Sequence, residues 1–472
     1  MTRAHSAAAM AALLALSAAS DASASGLFFS DRGVRPLGRG GAMVAGADDI
    51  GAVWYNPAGL ADAGTSVLAD FSWLHFSSDF TRQTQVTDAG GTVRTIGAPT
   101  VSGSSPVLPI PTLGASYAFG DKKQLTAAFG MYSPYTAITS YPVTVDGAPA
   151  ASRYSLVSLD GSLLVATGLY LAYKPIEQIR IGAGVEAIVG TFASSVVFNA
   201  NPSDRLIGAP EDPKYDALSQ LNVGPIFAPS ANMGVTAVPD KHVRIGVSGQ
   251  LPFVVDAPGK IQVRLPNAVE FDNARQDGDQ VHVRFELPAV FRVGVEARPI
   301  ERLRVEAALV REFWTTHHSI DIVPDNVRLS GVTGFPNDFK VAPITIPRSF
   351  DNANSYRLGG ELAIPFEGYQ IDLRTGVSYD SSAIPTAYVS PLTIDSDKVT
   401  AALGGSLRVG PHWRFDAVYA HVFAKDQDVS PAQAAVPGVN PVKGNPTQTV
   451  AINGGHYSAR ADVLGVGVNY RF

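Results

Sequence analysis

The chain has 472 residues, no cysteine and a net charge of -6, with 17% charged and 46% hydrophobic residues and 45 glycines and 33 prolines spread along it. The lack of cysteine excludes disulfides, thiol catalysis and thiolate metal sites. Lysines and arginines that form no stripe exclude nucleic acid as a partner, and the uniform low charge argues against the two or three soluble domains that length alone suggests.

The N-terminus reads as an export leader over residues 1–24. Arg3 opens it, Ala7 to Ala19 form a short apolar run, and Ala22-Ser23-Ala24 supplies the small residues of a cleavage site. The run falls short of the ~20 residues needed to cross a bilayer as a helix. A cleavage site without cysteine leaves no route to a lipid anchor. The mature chain therefore starts near Ser25, as a soluble exported protein or a membrane barrel.

The stretch GRGGAMVAGADDIGAVWYNPAGLADAG (38–64) is crowded with small residues. It is not a phosphate loop, because no strand leads into it and no Gly-Lys-Ser/Thr follows. Asp48 or Asp49 is placed to cap a short helix. Asn56-Pro57-Ala58-Gly59 sets a tight corner, with proline fixing φ and asparagine favouring the turn.

From Ser66 onward the period is two. Fourteen alternating segments begin near Ser66, Ile110, Lys123, Ser155, Ile179, Pro229, His242, Glu286, Arg302, Ser355, Gln370, Ser396, His412 and Ala459. Each approaches the ~9–11 residues of a tilted membrane strand, and an even number returns both ends to one side. In IDLRTGVSYD (371–380), Ile371, Leu373, Val377 and Tyr379 oppose Asp372, Arg374 and Asp380; in IRIGAGVEAIVG (179–190), Ile181 and Val185 oppose Arg180 and Glu186. Connections alternate between tight turns and long loops, the latter at 81–109, 142–154, 199–228, 255–284, 315–354, 381–395 and 424–458. Aromatics gather at strand ends as interfacial girdles would, and the terminal Phe472 suits recognition by barrel-assembly machinery. The predicted fold is all-β: a 14-stranded antiparallel transmembrane barrel over 66–472, preceded by a compact segment over 25–65.

Gly130 and Pro134 interrupt the third predicted strand, which predicts an inward kink over Phe129, Gly130, Met131, Tyr132, Ser133 and Pro134. The alternative is that Pro134 lies beyond the membrane, where the strand becomes loop.

ADDIGAVWYNPAGLA (47–61), after GRGGAMVAG, resembles the signature of the FadL/TodX family of outer-membrane transporters for long-chain fatty acids and other hydrophobic compounds. FGMYSPY (129–135), residues 155–190, LPAVFRVGVEARPIERLRVEAALVREFW (287–314), SYRLGGELAI (355–364), DLRTGVSYDSSAIP (372–385) and GVGVNYRF (465–472) follow in the family's order. The resemblance implies an outer-membrane barrel whose N-terminal residues fold inside it as a hatch, with Asp48, Asp49, Asn56, Pro57, Ala58 and Gly59 as its motif. It implies hydrophobic ligands bound in the lumen and released sideways at a kinked third strand. Ile226 and Phe227, in an expected outer loop, are candidates for capturing such a ligand. Lumenal Arg180 and Arg374 are candidates for a ligand carboxylate, or else are paired with neighbouring acids. A general porin for polar solutes is the rival reading, and aromatic hydrocarbons are an alternative cargo. The nine histidines are scattered, and adjacent His317 and His318 point to opposite sides of a strand, so neither an enzyme nor a metal site is expected. No cofactor is implied. The expected surroundings are outer-membrane lipid and lipopolysaccharide, and the expected state is a monomer.

Overall fold

A computed structural model of the chain describes residues 31–87, 90–133, 139–201, 211–334, 338–438 and 450–472. The expected leader, residues 25–30 and Pro134 lie outside the described residues.

From Ser66 the chain forms fourteen antiparallel strands in sequence order. They are Ser66–Thr87; Val101–Ser104 with Pro109–Phe119; Leu125–Tyr132; Leu163–Ile176; Ile179–Asn199; Asp216–Asp240; Val243–Gln250 with Phe253–Arg264; Gln280–Leu287 with Val290–Ile300; Leu303–Glu312 with Ser319–Pro324; Ile344–Pro347 with Ala353–Pro365; Tyr369–Asp380; Lys398–Val409; Trp413–Ala424 with Gln427–Val429; and Gly455–Arg471. The last strand pairs with the first from Ser66↔Arg471 to Arg82↔Gly455. The sheet therefore closes on itself and has no free edge, the condition for a sheet to stand in hydrocarbon.

Alternation decides which side chains face lipid. In the eleventh strand Leu373 and Val377 are exposed outward, while Asp372 and Arg374 are buried inward; in the last, Leu464 and Val466 are exposed. Tight turns gather at one end, where Gly120, Gly368 and Gly410 take positive φ. The long connections gather at the other, and there the strands of several hairpins run on past the band.

Several strand boundaries differ from expectation: the second, eighth and tenth strands begin at Val101, Gln280 and Ile344, before the expected Ile110, Glu286 and Ser355, because their paired extensions reach into the expected loops. The fourth strand starts at Leu163, eight residues after Ser155, because a turn closed by the Ser162 N–H on the Leu159 carbonyl, with Gly161 at positive φ, comes first. The sixth starts at Asp216 rather than near Pro229, because a register shift between Val223 and Ile226 absorbs Gly224 and Pro225 without ending the strand. Ile226 and Phe227 accordingly stand in the barrel wall and not in a loop. Ile226 is buried and Phe227, 68% exposed, faces away from the lumen.

The N-terminal segment lies inside the barrel. Residues 31–63 are buried almost throughout, in two short helices, Val34–Leu37 and Ala52–Tyr55, and a 3-10 turn, Pro57–Asp62. Small residues let it fit. The wall contributes glycine where the segment's backbone passes closest: a Cβ on Gly376 would fall 2.1 Å from the Arg39 carbonyl carbon, and one on Gly182 would fall 2.3 Å from that of Pro57.

Candidate functional site: an anchored N-terminal segment below an apolar cavity

Ion pairs and backbone hydrogen bonds tie the N-terminal segment to opposite sides of the wall. Arg35 makes a two-pronged pair with Glu361 at 3.0 Å for both contacts and also reaches Asp49 at 3.0 Å. Arg39 bridges Glu296 (3.1 Å) and Glu306 (3.2 Å) on the eighth and ninth strands. Glu306 in turn accepts the N–H groups of Val44, Ala45 and Gly46 at 2.6, 2.9 and 2.9 Å. Each of these charges is buried, and each is desolvated only because a partner meets it; removing one member of such a pair costs about 3–5 kcal/mol.

The residues of the small-residue motif take part in this anchoring. Asp48 pairs with Arg304 at 2.8 Å and Asp49 with Arg414 at 2.9 Å. Neither is a helix cap: Gly51 holds that position with no side-chain cap bond, although Asp49 accepts the Gly51 N–H at 3.0 Å. The strong arginine field around both carboxylates draws them to the wall. Asn56 is the corner: its Oδ1 accepts the Ala58 N–H (3.1 Å), and its Nδ2 donates to the Val44 carbonyl (2.9 Å) and to Thr236 (3.0 Å) on the sixth strand. Pro57 and Ala58 rest against Gly182, and a Cβ on Gly59 would fall 2.4 Å from the Ala47 carbonyl oxygen.

Arg180 and Arg374 both face inward, and both are committed to acids. Arg180 holds Asp62 at 3.1 Å. Arg374 contacts Glu361 at 2.6 Å and Asp416 at 3.1 Å. Of the two readings of these arginines, paired lumenal groups is the one that fits their surroundings. Ile226 and Phe227 line neither apolar cavity described below.

The third strand is regular as far as it pairs. Phe129 to Tyr132 keep an unbroken register with both neighbours, so no bulge interrupts the ladder at Gly130; its missing side chain admits Val53, whose Cγ1 would lie 2.9 Å from a Cβ there. Met131 continues the same ladder, and Tyr132 turns inward to donate to Glu186 at 2.8 Å. Among the described residues, continuous pairing with both neighbours runs to Tyr132. Among the described residues it reappears as single bridges from Ser140 to Ser104 and Ser158.

An apolar cavity of about 310 Å³ lies next to this part of the wall. Residues 108–111 of the second strand and its approach line one flank, 163–165 of the fourth strand line the other, and Ser133 lies between them. Leu108 and Leu163 on these flanks are half or more exposed. A second apolar cavity of about 90 Å³ lies further toward the long loops, and the two share Phe192, Ile320, Arg348 and Leu392 as lining. Paired extensions of the ninth and tenth strands, Ser319–Pro324 against Ile344–Pro347, place Ile320 and lead directly into Arg348.

Arg348 is the polar exception. It is 1% exposed, and its guanidinium makes one long contact, 3.4 Å to the Thr393 hydroxyl. Nε and Nη2 have no partner among the described residues. Burial alone pushes it down to about 10. Beside it, His317 sits among Trp314, Phe350 and Phe285, with ring centroids 5.0–6.4 Å away. Its Nδ1 donates to the Glu286 carbonyl at 2.6 Å, which fixes the tautomer and leaves Nε2 without a partner. Burial, reinforced by the Arg348 charge, pushes His317 down to about 4, so the ring is neutral near pH 7. Sequence reasoning set His317 aside as a poor metal ligand and missed Arg348; the alternation of Ile320 and Ile322 and of Ile344 and Ile346 is the signal that could have shown strand within the expected loop 315–354.

The arrangement can hold a molecule with a greasy body and one anionic end. Among the described residues no three His, Asp or Glu side chains are grouped to hold a metal.

Comparison with known proteins agrees with this architecture. The model of a family described as outer membrane protein transport protein (OMPP1/FadL/TodX) matches residues 15–472. No curated protein matches. Three crystal structures superpose over nearly the whole chain. A Pseudomonas aeruginosa FadL homologue has a TM-score of 0.69 and 16% identity, covering 95% of this chain and 100% of its own. The Pseudomonas putida toluene transporter TodX gives 0.63 and 13%, covering 94% and 99%. The Ralstonia pickettii toluene transporter TbuX gives 0.59 and 15%, covering 94% and 99%. At these identities the likeness is one of fold.

Proposed function

Because the chain belongs to the OMPP1/FadL/TodX family of outer membrane transport proteins, we propose that it imports long-chain fatty acids, binding them in the two apolar cavities and releasing them sideways between the second and fourth strands. The observation that carries this reading is Arg348, a buried guanidinium with unused donors at the junction of two apolar cavities. A desolvated cation without a counter-ion is costly, and a ligand carboxylate offsets that cost through charge-assisted hydrogen bonds. The first cavity is lined by Ser133, Leu108 and Leu163, and the two leucines are half or more exposed, which supports a lateral exit past them into the surrounding lipid. The anchored N-terminal segment acts as a hatch that denies the straight route, which a general porin would need open.

Uptake by cells expressing the chain tests this reading. Oleate should accumulate well above vector controls. Accumulation of toluene without oleate would move the cargo to aromatic hydrocarbons, and a large steady conductance in planar bilayers would restore the porin reading.

A further inference from the structure

At the tight-turn end, beneath the N-terminal segment, lies a polar cavity of about 620 Å³. Eight of its lining side chains are Lys or Arg and three are Asp: Asp48, Asp49 and Asp62. The three aspartates are already engaged by arginines, and they leave donors unused. Arg471, exposed at the cavity mouth, donates to the Asp62 carbonyl oxygen at 3.2 Å. Arg244 gives Nη2 to Asp62 at 2.7 Å, while its buried Nε has no partner among the described residues. Asn469 is 8% exposed, and its amide nitrogen is likewise unpartnered. Asn469 and Arg471 stand two residues apart on the last strand, so they share its inner face, and Asn469 is in register with Arg414.

Buried donors in native proteins are almost always matched, and the unmatched Arg244 Nε and Asn469 amide nitrogen line one cavity whose basic side chains outnumber its acids eight to three, a setting that suits an oxyanion. We infer that this cavity is a phosphate-binding site on the periplasmic side, taking either free phosphate or the phosphate of a lipid headgroup. Separate donors from the seventh and fourteenth strands suit a tetrahedral anion better than a planar carboxylate. A headgroup has a way in: His412 and Trp413 line the cavity rim, and Trp413 is exposed on the lipid-facing wall with its ring edge-on to Tyr470 at 4.6 Å. The site is separate from Arg348 and does not depend on the cargo.

The full chain, purified in a neutral detergent, is titrated calorimetrically with inorganic phosphate and, separately, with dihexanoylphosphatidylglycerol. Saturable binding is expected, weakened about tenfold or more by Arg471→Gln and by Asn469→Leu, with both variants retaining the heat-modifiable gel mobility of a folded barrel. Binding of both probes assigns the site to phosphate in general, and binding of the lipid alone assigns it to a headgroup. No saturable binding of either probe, or binding undiminished in both variants, overturns the proposal.

Discussion

Replacing Arg348 by methionine removes the charge and keeps a flexible side chain of comparable reach. The drop to about 10 that burial imposes on this guanidinium, from the ordinary arginine range, corresponds to about 3 kcal/mol of desolvation carried by the folded, unliganded protein. At pH 7, below both values, that penalty is present in full, so Arg348→Met should stabilise the empty barrel by up to about 3 kcal/mol. Binding should move the other way. A carboxylate that pairs with the guanidinium gains about 2–3 kcal/mol from charged hydrogen bonds, so the variant should bind a fatty acid roughly 30- to 150-fold more weakly. A fatty alcohol of equal chain length, which presents no charge, should keep its affinity. Fluorescent-probe displacement by palmitate and by hexadecanol gives the two affinities, and urea unfolding from lipid vesicles gives the stability. Equal losses for acid and alcohol, or a destabilised barrel, would refute the reasoning, because either result makes Arg348 a packing element instead of an unmatched charge.

Other outcomes follow from the same geometry. Ser133→Cys supplies the chain's sole thiol at the start of the proposed exit; alkylation with a bulky maleimide should cut oleate uptake by about tenfold or more, and undiminished uptake would dismiss the lateral route. Glu306→Gln should loosen the N-terminal segment by about 3–5 kcal/mol, seen as ion conductance in planar bilayers above that of the unaltered protein. Gly376→Leu should act more severely, since its first side-chain atom already collides with the Arg39 backbone; unchanged folding yield would contradict the close approach. His317 stays neutral down to about 4 whereas the unfolded ring protonates near 6.5. Stability present above pH 6.5 should therefore be lost as pH falls toward 4, by up to about 3 kcal/mol. His317→Phe should flatten that part of the profile in urea titrations at pH 7.5 and pH 5.

The barrel was legible because alternation is a local property. Leu373, Arg374 and Val377 declare their faces from their own neighbours, and the spacing of tight turns orders the strands. Gly130 was read as a bend, yet it makes room for Val53 within an unbroken register, a use that depends on a residue 77 positions away; Pro134 lies outside the described residues. The anchoring was hidden for a plain reason. Arg35 meets Glu361 across 326 positions and Arg39 meets Glu306 across 267, and no local pattern encodes which lumenal acid receives which arginine. Asp48 and Asp49 looked like caps because capping is the nearest use of an aspartate before a helix; tertiary electrostatics claimed them instead. Arg348 was obscured by its setting in a long connection, where an arginine is ordinarily solvated.

The glycine contacts between the wall and the Arg39–Gly40 backbone also bear on how the molecule is made. A wall that touches main chain at Gly359, Gly376 and Gly182 leaves no clearance for a folded segment to slide in afterward. An empty barrel would meanwhile hold buried Glu306 without Arg39 and without the N–H groups of Val44, Ala45 and Gly46 that meet it. The segment leads directly into the first strand, and the first strand closes the seam with the last through seventeen register pairs. The N-terminal residues therefore have to be in position before the seam closes, so the part made first serves as the mandrel around which the rest is wound.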